Sequence, residues 1–500
     1  MILYNILIFT FGFWNIFKKD KSLSPVLGFS FMAVFAFWVF STLGAPIKTD
    51  TKVFEGLAVL FGLSILGFIL IYLSKNKIAQ VGALIMAAVG LNLYVTNPHT
   101  TVDPSIKMDQ EAELIVELDH NDSEFILSEL KELPFINHIN PFLKPKDFES
   151  TEFDDFYKID IKEGYDINIA IGEISQQDGV EWIEPNEILR LEPVSSAQKT
   201  EKTKFSAAVS DPLASTQWNM AVLDMQNYYP LFETSKYRPV RSAKLFILDS
   251  GVNPNHVDIG SNFLRHKSND VSANESDGNG HGTHCAGVAA AISNNGIGVA
   301  SMSPGSQWIT VSSVKVMNNF GFGTQASILE GIIEAVDAGA DVISMSLGGK
   351  STQIKEEAYD EVLQYAEDHN VIIIAAAGNN AGDASQIVPA NSKIVITVTA
   401  LDKSLNKAQF SNHITNTNYG IAAPGTSIPS TWRSGRYATF DGTSMAAPHV
   451  SGLVTVMKSL KPSLTTKQAF EILDQTGTKT KANHLTGRMI NPSKAIKAVR

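Results

Sequence analysis

The sequence predicts an α/β fold built on a parallel sheet, and three kinds of segment carry that prediction. Short runs such as Leu245-Phe246-Ile247-Leu248, Val342-Ile343 and Val371-Ile372-Ile373-Ile374 are apolar without alternation, as strands buried on both faces are. They end in Asp249-Ser250-Gly251, Ser346-Leu347-Gly348-Gly349 and Gly378-Asn379-Asn380, at the carboxyl tips where open α/β sheets hold their ligands. Two stretches of small residues, Ala286 to Ile292 and the run Met445, Ala446, Ala447, Val450, Gly452, Leu453, Val454, are hydrophobic nearly all round and read as buried helices.

At 500 residues the chain has room for two or three domains, and its 44% hydrophobic content is unevenly placed. Residues 1–97 hold four apolar runs, Met1 to Phe17, Pro25 to Ile47, Leu57 to Leu73 and Ile78 to Val95. Each is near or above the roughly 17 residues a helix needs to cross a bilayer, which predicts an all-α region of four transmembrane helices and a lipid bilayer as partner. Lys18, Lys19 and Lys21 follow the first run instead of preceding it, unlike a cleaved signal. With Lys75 and Lys77 they outnumber Lys48 and Lys52 at the opposite connections, so the positive-inside rule makes this a multi-pass membrane protein with both termini outside and its C-terminal domain extracytoplasmic. No ionisable residue lies well inside the four runs, which argues against ion transport.

After a linker over 98–110, residues 111–193 read as a small α+β domain. Glu113 to Leu118 predicts a strand, Asp122 to Leu133 a helix capped by Asp122 or Ser123, and Tyr157 to Ile161 an alternating strand. Ile167, Ile171 and Ile174 stand at helical spacing, and Val180 to Asn186 closes the domain. A polar stretch rich in Ser, Ala and Lys, 194–213, reads as a flexible linker before the C-terminal domain, 214–500. The net charge of −11, with no basic cluster outside the membrane runs, excludes a nucleic-acid binder. A single cysteine, Cys285, excludes an intrachain disulfide.

Three motifs in the C-terminal domain carry chemistry. Asp249 ends an apolar strand, His281 stands between glycines in Asn279-Gly280-His281-Gly282-Thr283-His284 at the start of a helix, and Ser444 follows Gly442-Thr443 at the start of another. A helix N-terminus favours developing negative charge, and an imidazole of pKa near ~6.5 can take a serine proton at neutral pH if a carboxylate fixes its tautomer. His284 lies one turn beyond His281 and His449 follows a proline in the serine helix, so both read as structural histidines.

Asp, His and Ser in this chain order match the subtilisin-type order. From about Gln217 to Arg500 the chain resembles the subtilase family of serine proteases, which implies a subtilisin-like parallel sheet with helices on both faces. The resemblance implies Ser444 as nucleophile, His281 as general base and acid, Asp249 as its orienting carboxylate, and Asn379 as an oxyanion donor, with Asn380 the alternative. It further implies that polypeptide substrates pair as an added strand between Ser346-Leu347-Gly348 and Gly321-Phe322-Gly323, with Ala376 to Gly378 lining the main specificity pocket. Ser293 to Val299 is similar to the family's calcium loop, which implies Gln217, Asp258, Asn295 and the carbonyls of Ser293, Ile297 and Val299 as ligands. The 111–193 domain, ending in Val180-Glu181-Trp182-Ile183-Glu184-Pro185-Asn186, resembles a subtilase propeptide, implying an intramolecular inhibitor and self-cleavage between Leu191 and Thr216, with a substrate-recruiting domain as the alternative. Some subtilases carry a thiol where Cys285 stands, which here reads as a small core residue. The function expected is a membrane-associated serine endopeptidase made as a zymogen. The alternative is a catalytically silent, membrane-tethered peptide-binding module.

Overall fold

A computed structural model describes residues 106–146, 153–191, 194–195, 209–265 and 276–499, all within one compact unit. The four expected membrane spans lie outside these residues. Among the described residues no helix is long and apolar enough to cross a membrane.

The first layer is a four-stranded antiparallel sheet in the order β2-β3-β1-β4, formed by β1 (Leu114–Leu118), β2 (Ile136–Pro141), β3 (Phe156–Ile161) and β4 (Val180–Pro185). Helices α1 (Ser123–Lys131) and α2 (Ile167–Ile174) connect them. Alternation on β1 explains why it reads as a continuous apolar run. Leu114, Val116 and Leu118 pack with Ile126, Leu130, Ile171 and Ile174 of the helices, while Ile115 joins Phe156 and Trp182 on the opposite face. Asp122 stands at the N-cap of α1 without a side-chain hydrogen bond, whereas Asp166 caps α2 by accepting from the Asn168 and Ile169 amides. Strand β2 escaped the sequence reading because Ile-Asn-His-Ile-Asn-Pro is polar, mostly exposed and proline-ended.

The second layer is a six-stranded sheet in the order β15-β14-β12-β10-β7-β8, with every pairing parallel. Its strands are β7 (Ala243–Asp249), β8 (Ile309–Lys315), β10 (Val342–Met345), β12 (Ile372–Ala376), β14 (Ile396–Leu401) and β15 (Tyr419–Pro424). The chain leaves β7, places β8 on one side through α3 (His281–Ala290), and then returns through α4 (Gln325–Asp337) to place β10 on the other. That reversal opens a crevice beyond the carboxyl end of β7, where Asp249 sits.

Helices cover both faces. Leu245 and Ile247 of β7 pack with residues of α3 and α6 (Thr443–Leu460), while Phe246 and Leu248 pack with α4 and α5 (Gln353–Asp368). The side bearing α4 and α5 also receives Ile115, Phe156 and Trp182, so the two sheets share one core through these helices.

Both expected linkers are partly structured. The Asp109 amide donates to Asn186 O, and that of Ile188 to Lys107 O. Val194–Ser195 (β6) pairs with β17 (Arg436–Asp441). Asp211 is buried because its carboxylate accepts the Asn294 and Asn295 amides, which ties the end of the 194–213 stretch to the neighbouring loop.

Candidate active site

The sheet reversal brings Asp249 to the N-terminal end of α3. His281 Nδ1 donates to Asp249, lying 2.8 Å from both Oδ1 and Oδ2, and both side chains are buried. The Ser250 amide also donates to Asp249 Oδ1 at 2.7 Å. Burial opposes charge on His281, but the Asp249 carboxylate and then Cys285 more than offset it, so the imidazole pKa stands well above its ordinary value.

The glycines beside His281 have separate reasons. Gly280 caps α3 at φ +107°, a conformation that favours glycine. Gly282 lets the helix approach the preceding loop, since a β-carbon there would stand 2.1 Å from Gly251 O.

His281 Nε2 is buried without a hydrogen-bond partner among the described residues. Ser444, on the first turn of α6, donates from Oγ to Ser346 O at 3.0 Å. Ser346 Oγ in turn donates to Ser444 O at 2.9 Å. Cys285 lies between the two motifs, its Sγ 4.0 Å from His281 Nδ1 and donating to Ser444 O at 3.4 Å.

The other two histidines are held by structural contacts, although His284 Nδ1 is buried with no hydrogen-bond partner among the described residues. His284 Nε2 donates to the carbonyls of Ile428 and Ala438, and burial pushes its pKa down to about 3. His449 donates from Nδ1 to Met445 O, accepts at Nε2 from Asn219, and falls to about 4 on burial. Both stay neutral near pH 7.

Asn379, past the end of β12, accepts at Oδ1 from the Thr443 amide (2.9 Å) and hydroxyl (2.8 Å). Its oxygen is thereby tied to the start of α6, which leaves its Nδ2 as the donor for another group. The exposed Asn380 makes no such contact with α6.

Asp277 was missed in the sequence. Its buried carboxylate accepts from Ser250 Oγ, the amides of Asn279, Gly280 and Thr283, and Thr283 Oγ1. It thus fixes the turn that presents His281. The only signal available was its place before Gly278-Asn279-Gly280.

The two segments expected as cleft edges both lie among the described residues. Ser346, Leu347 and Gly348 follow β10, and Gly321 and Gly323 flank Phe322 at β9 (Phe322–Thr324). The edge at β9 is already paired. Strand β5 (Ile188–Arg190) runs antiparallel to it with Leu189 opposite Gly323 and Arg190 opposite Phe322, and the Leu191 amide donates to Gly321 O at 2.8 Å. Leu189 also reaches the other edge, since a β-carbon on Gly349 would stand 2.5 Å from its Cδ2.

The expected calcium ligands converge on one loop. Asp258 is buried with no ion-pair partner among the described residues, accepting from Asn295 Nδ2, the Val299 amide and Tyr437 OH. Burial raises its pKa to about 6. Gln217 brackets Ala300, accepting its amide and donating to its carbonyl, and Asn295 Oδ1 accepts the Ile297 amide. Among the described residues no backbone amide donates to the carbonyls of Ser293, Ile297 or Val299. A buried carboxylate lacking a counter-cation, two amide oxygens and three free carbonyls make a hard-oxygen set that fits calcium.

Comparison with known proteins agrees with this geometry. A sequence model described as the subtilase family matches residues 241–489. Thermitase from Thermoactinomyces vulgaris is 36% identical over 249 residues, spanning 46% of this chain and 84% of its own length. The chain belongs to the subtilase family. Subtilisin DY from Bacillus licheniformis is likewise 36% identical over 244 residues, spanning 47% of this chain and 84% of its own. Among solved subtilase structures, fervidolysin from Fervidobacterium pennivorans, described as a keratinolytic enzyme related to subtilisin, superposes with a TM-score of 0.64 at 22% identity. It covers 80% of this chain and 62% of its own, so the likeness in fold extends beyond residues 241–489. This subtilase is a subtilisin-like serine protease, a hydrolase of peptide bonds.

Proposed function

We propose that the chain is a membrane-associated serine endopeptidase using Asp249, His281 and Ser444, held in check by its own N-terminal α+β domain. The observation that carries this is a buried imidazole fixed by Asp249 through Nδ1, with no partner for Nε2 among the described residues, linked through Cys285 to a serine on the first turn of a buried helix.

In the reaction Ser444 Oγ leaves the Ser346 carbonyl and attacks the scissile carbonyl carbon, while His281 Nε2 takes its proton. Asp249 holds the productive tautomer and stabilises the imidazolium. The tetrahedral oxyanion is met by the Ser444 amide and Asn379 Nδ2. Collapse breaks the C–N bond, His281 returns the proton to the leaving amine, and water hydrolyses the acyl-enzyme by the same route. Substrate pairs as a strand between Gly321–Gly323 and Ser346–Gly348, with Ala376 and Gly378 lining the pocket for the residue before the scissile bond.

The strand Ile188–Arg190 supports the inhibitory role, because it occupies the edge a substrate would use. Activation then requires a cut, which we place by self-processing between Leu191 and Thr216, testable by N-terminal sequencing of the active fragment. The four apolar runs support the membrane tether, with the catalytic domain extracytoplasmic. Calcium would be held by Gln217, Asp258, Asn295 and the carbonyls of Ser293, Ile297 and Val299, where it would neutralise Asp258 and rigidify the loop. Chelation is expected to lower the melting temperature by several degrees, and an unchanged melting curve would remove calcium from the account.

The direct test exposes the full-length protein in detergent to a tagged fluorophosphonate, comparing wild type with Ser444→Ala. Labelling of wild type alone establishes an activated Ser444. No labelling after limited proteolysis, with a known subtilase labelled in parallel, favours the silent peptide-binding module.

A further inference from the structure

In the parallel pairing of β7 with β8, Asp249 lies opposite Lys315, and both residues end their strands at the crevice. The lysine reaches the residue that follows Asp249. Its Nζ donates to Ser250 O at 2.6 Å and to Asn319 Oδ1 at 2.9 Å. The other polar groups of Ser250 all serve the site: its amide donates to Asp249 Oδ1, while its Oγ donates to Asp277 Oδ1 at 2.9 Å and accepts the Gly282 amide at 3.1 Å. Ser250 thus joins the ammonium group to both carboxylates and to the residue after His281.

The two carboxylates are buried on either side of that histidine, Asp249 against its Nδ1 and Asp277 in the turn before it. Asp277 receives only hydroxyls and amides and makes no ion pair among the described residues. Lys315 is half-buried. Burial pushes its pKa down, whereas Asp277 and then Asp249 support its charge. The other titratable groups on this side are the Cys285 thiol and the neutral His284 on α3, the neutral His449 on α6, and the exposed Arg433, which donates to Gly278 O at 2.7 Å.

A histidine acts as a base only in its neutral form, so the carboxylate that orients it also favours the form that cannot react. A second carboxylate close by adds to that bias. We infer that Lys315 is a positioning residue for the triad, its cation balancing Asp249 and Asp277 through Ser250 so that His281 can accept the Ser444 proton at neutral pH. This rests on the assignment of His281 as the general base.

The test uses the full chain, opened by limited proteolysis, and reads kcat/KM for one fluorogenic peptide from about pH 5 to about pH 9. Lys315→Gln removes the charge, Lys315→Arg keeps it, and Asn319→Asp leaves the lysine in place but sets a carboxylate against it at an exposed position. Loss of the cation favours the imidazolium, so activity should retreat to higher pH. On the acidic side Lys315→Gln and Asn319→Asp are each expected to lose roughly three- to tenfold, with the alkaline plateau falling by at most about twofold. Lys315→Arg should follow the wild-type curve. A merely structural lysine would lower the whole curve, so an equal loss at every pH, or an acidic limb unmoved in both charge-changing variants, overturns the inference. Asn319→Asp decides the matter if Lys315→Gln does not fold. Ser444-dependent fluorophosphonate labelling with an unmoved limb would sink the role of Lys315 alone. Loss of that labelling in wild type would sink the catalytic reading and this inference with it.

Discussion

The crevice beyond β7 and the seam between the four-stranded sheet and helices α4 and α5 are each built around a buried carboxylate, and they treat it differently. In the crevice, Asp249 receives the Ser250 amide and an imidazole whose pKa its own charge raises. In the seam, Glu184 of β4 receives the Gln325 amide, with Tyr359 OH buried nearby and lacking a hydrogen-bond partner. Burial pushes Glu184 up to about 8, against the lowering effects of Lys355 and Gln325, with Glu187 and Glu357 raising it further. The crevice surrounds its carboxylate with donors. In the seam burial favours the protonated carboxyl group, so ionisation of Glu184 works against the contact.

The sharpest test of the crevice half is Asn379→Ala. Asn379 Oδ1 is held by Thr443, which leaves Nδ2 for another acceptor, and in the proposed oxyanion role its loss would remove a preorganised contact to charge that exists only in the transition state. The expected result is a fall of roughly 10²- to 10³-fold in kcat with KM little changed, a size established for a member of the same family. A loss expressed mainly in KM would make Asn379 a substrate-binding residue instead.

The crevice was also the more legible half in sequence, for physical reasons. Asp249, His281 and Ser444 each sit where a strand or helix must end, so glycine, chain order and apolar flanks marked them. Asp277 acts by accepting amides from residues that follow it, which looks like any Asp-Gly turn when written linearly. The seam was readable as an α+β domain because β1 is buried on both faces. Its strand β2 was not, because an exposed edge strand needs no apolar alternation. The pairing of Ile188–Arg190 with the cleft edge follows from docking and left no local pattern.

Glu184→Gln breaks the seam half of the contrast. Exposed after separation, Glu184 returns towards its ordinary value of 4.5, while in the closed seam it titrates near about 8. The closed form therefore binds the extra proton. Closure is tightest below pH 4.5, weakens progressively as pH rises towards 8, and changes little beyond. Across that window the open fraction is expected to grow by up to roughly 10³-fold, read as the rate of Ser444 labelling by a fluorophosphonate. His281 contributes its own pH dependence to labelling, so the diagnostic quantity is the difference between wild type and Glu184→Gln. The glutamine keeps an acceptor for Gln325 but cannot ionise, and it should flatten the excess slope. Parallel curves for the two proteins would mean that the seam is not pH-sensitive.

The smallest expected effect comes from the same seam and isolates burial as the cause. Lys158 of β3 pairs with Glu330 of α4 at 2.9 Å, yet these side chains remain 30% and 22% exposed. Water screens the pair, and fixing two long side chains offsets much of the attraction, so such contacts are worth about 0.2–1 kcal/mol. Lys158→Ala should therefore raise the open fraction by no more than about fivefold, and that increment should shrink in high salt because screening is already most of the story. Its pH profile between 4.5 and 8 should match wild type, since neither partner depends on the Glu184 proton for its contact. An effect of Lys158→Ala equal to that of Glu184→Gln would show that the count of charges across the seam, and not the desolvation of one carboxyl group, decides when it opens.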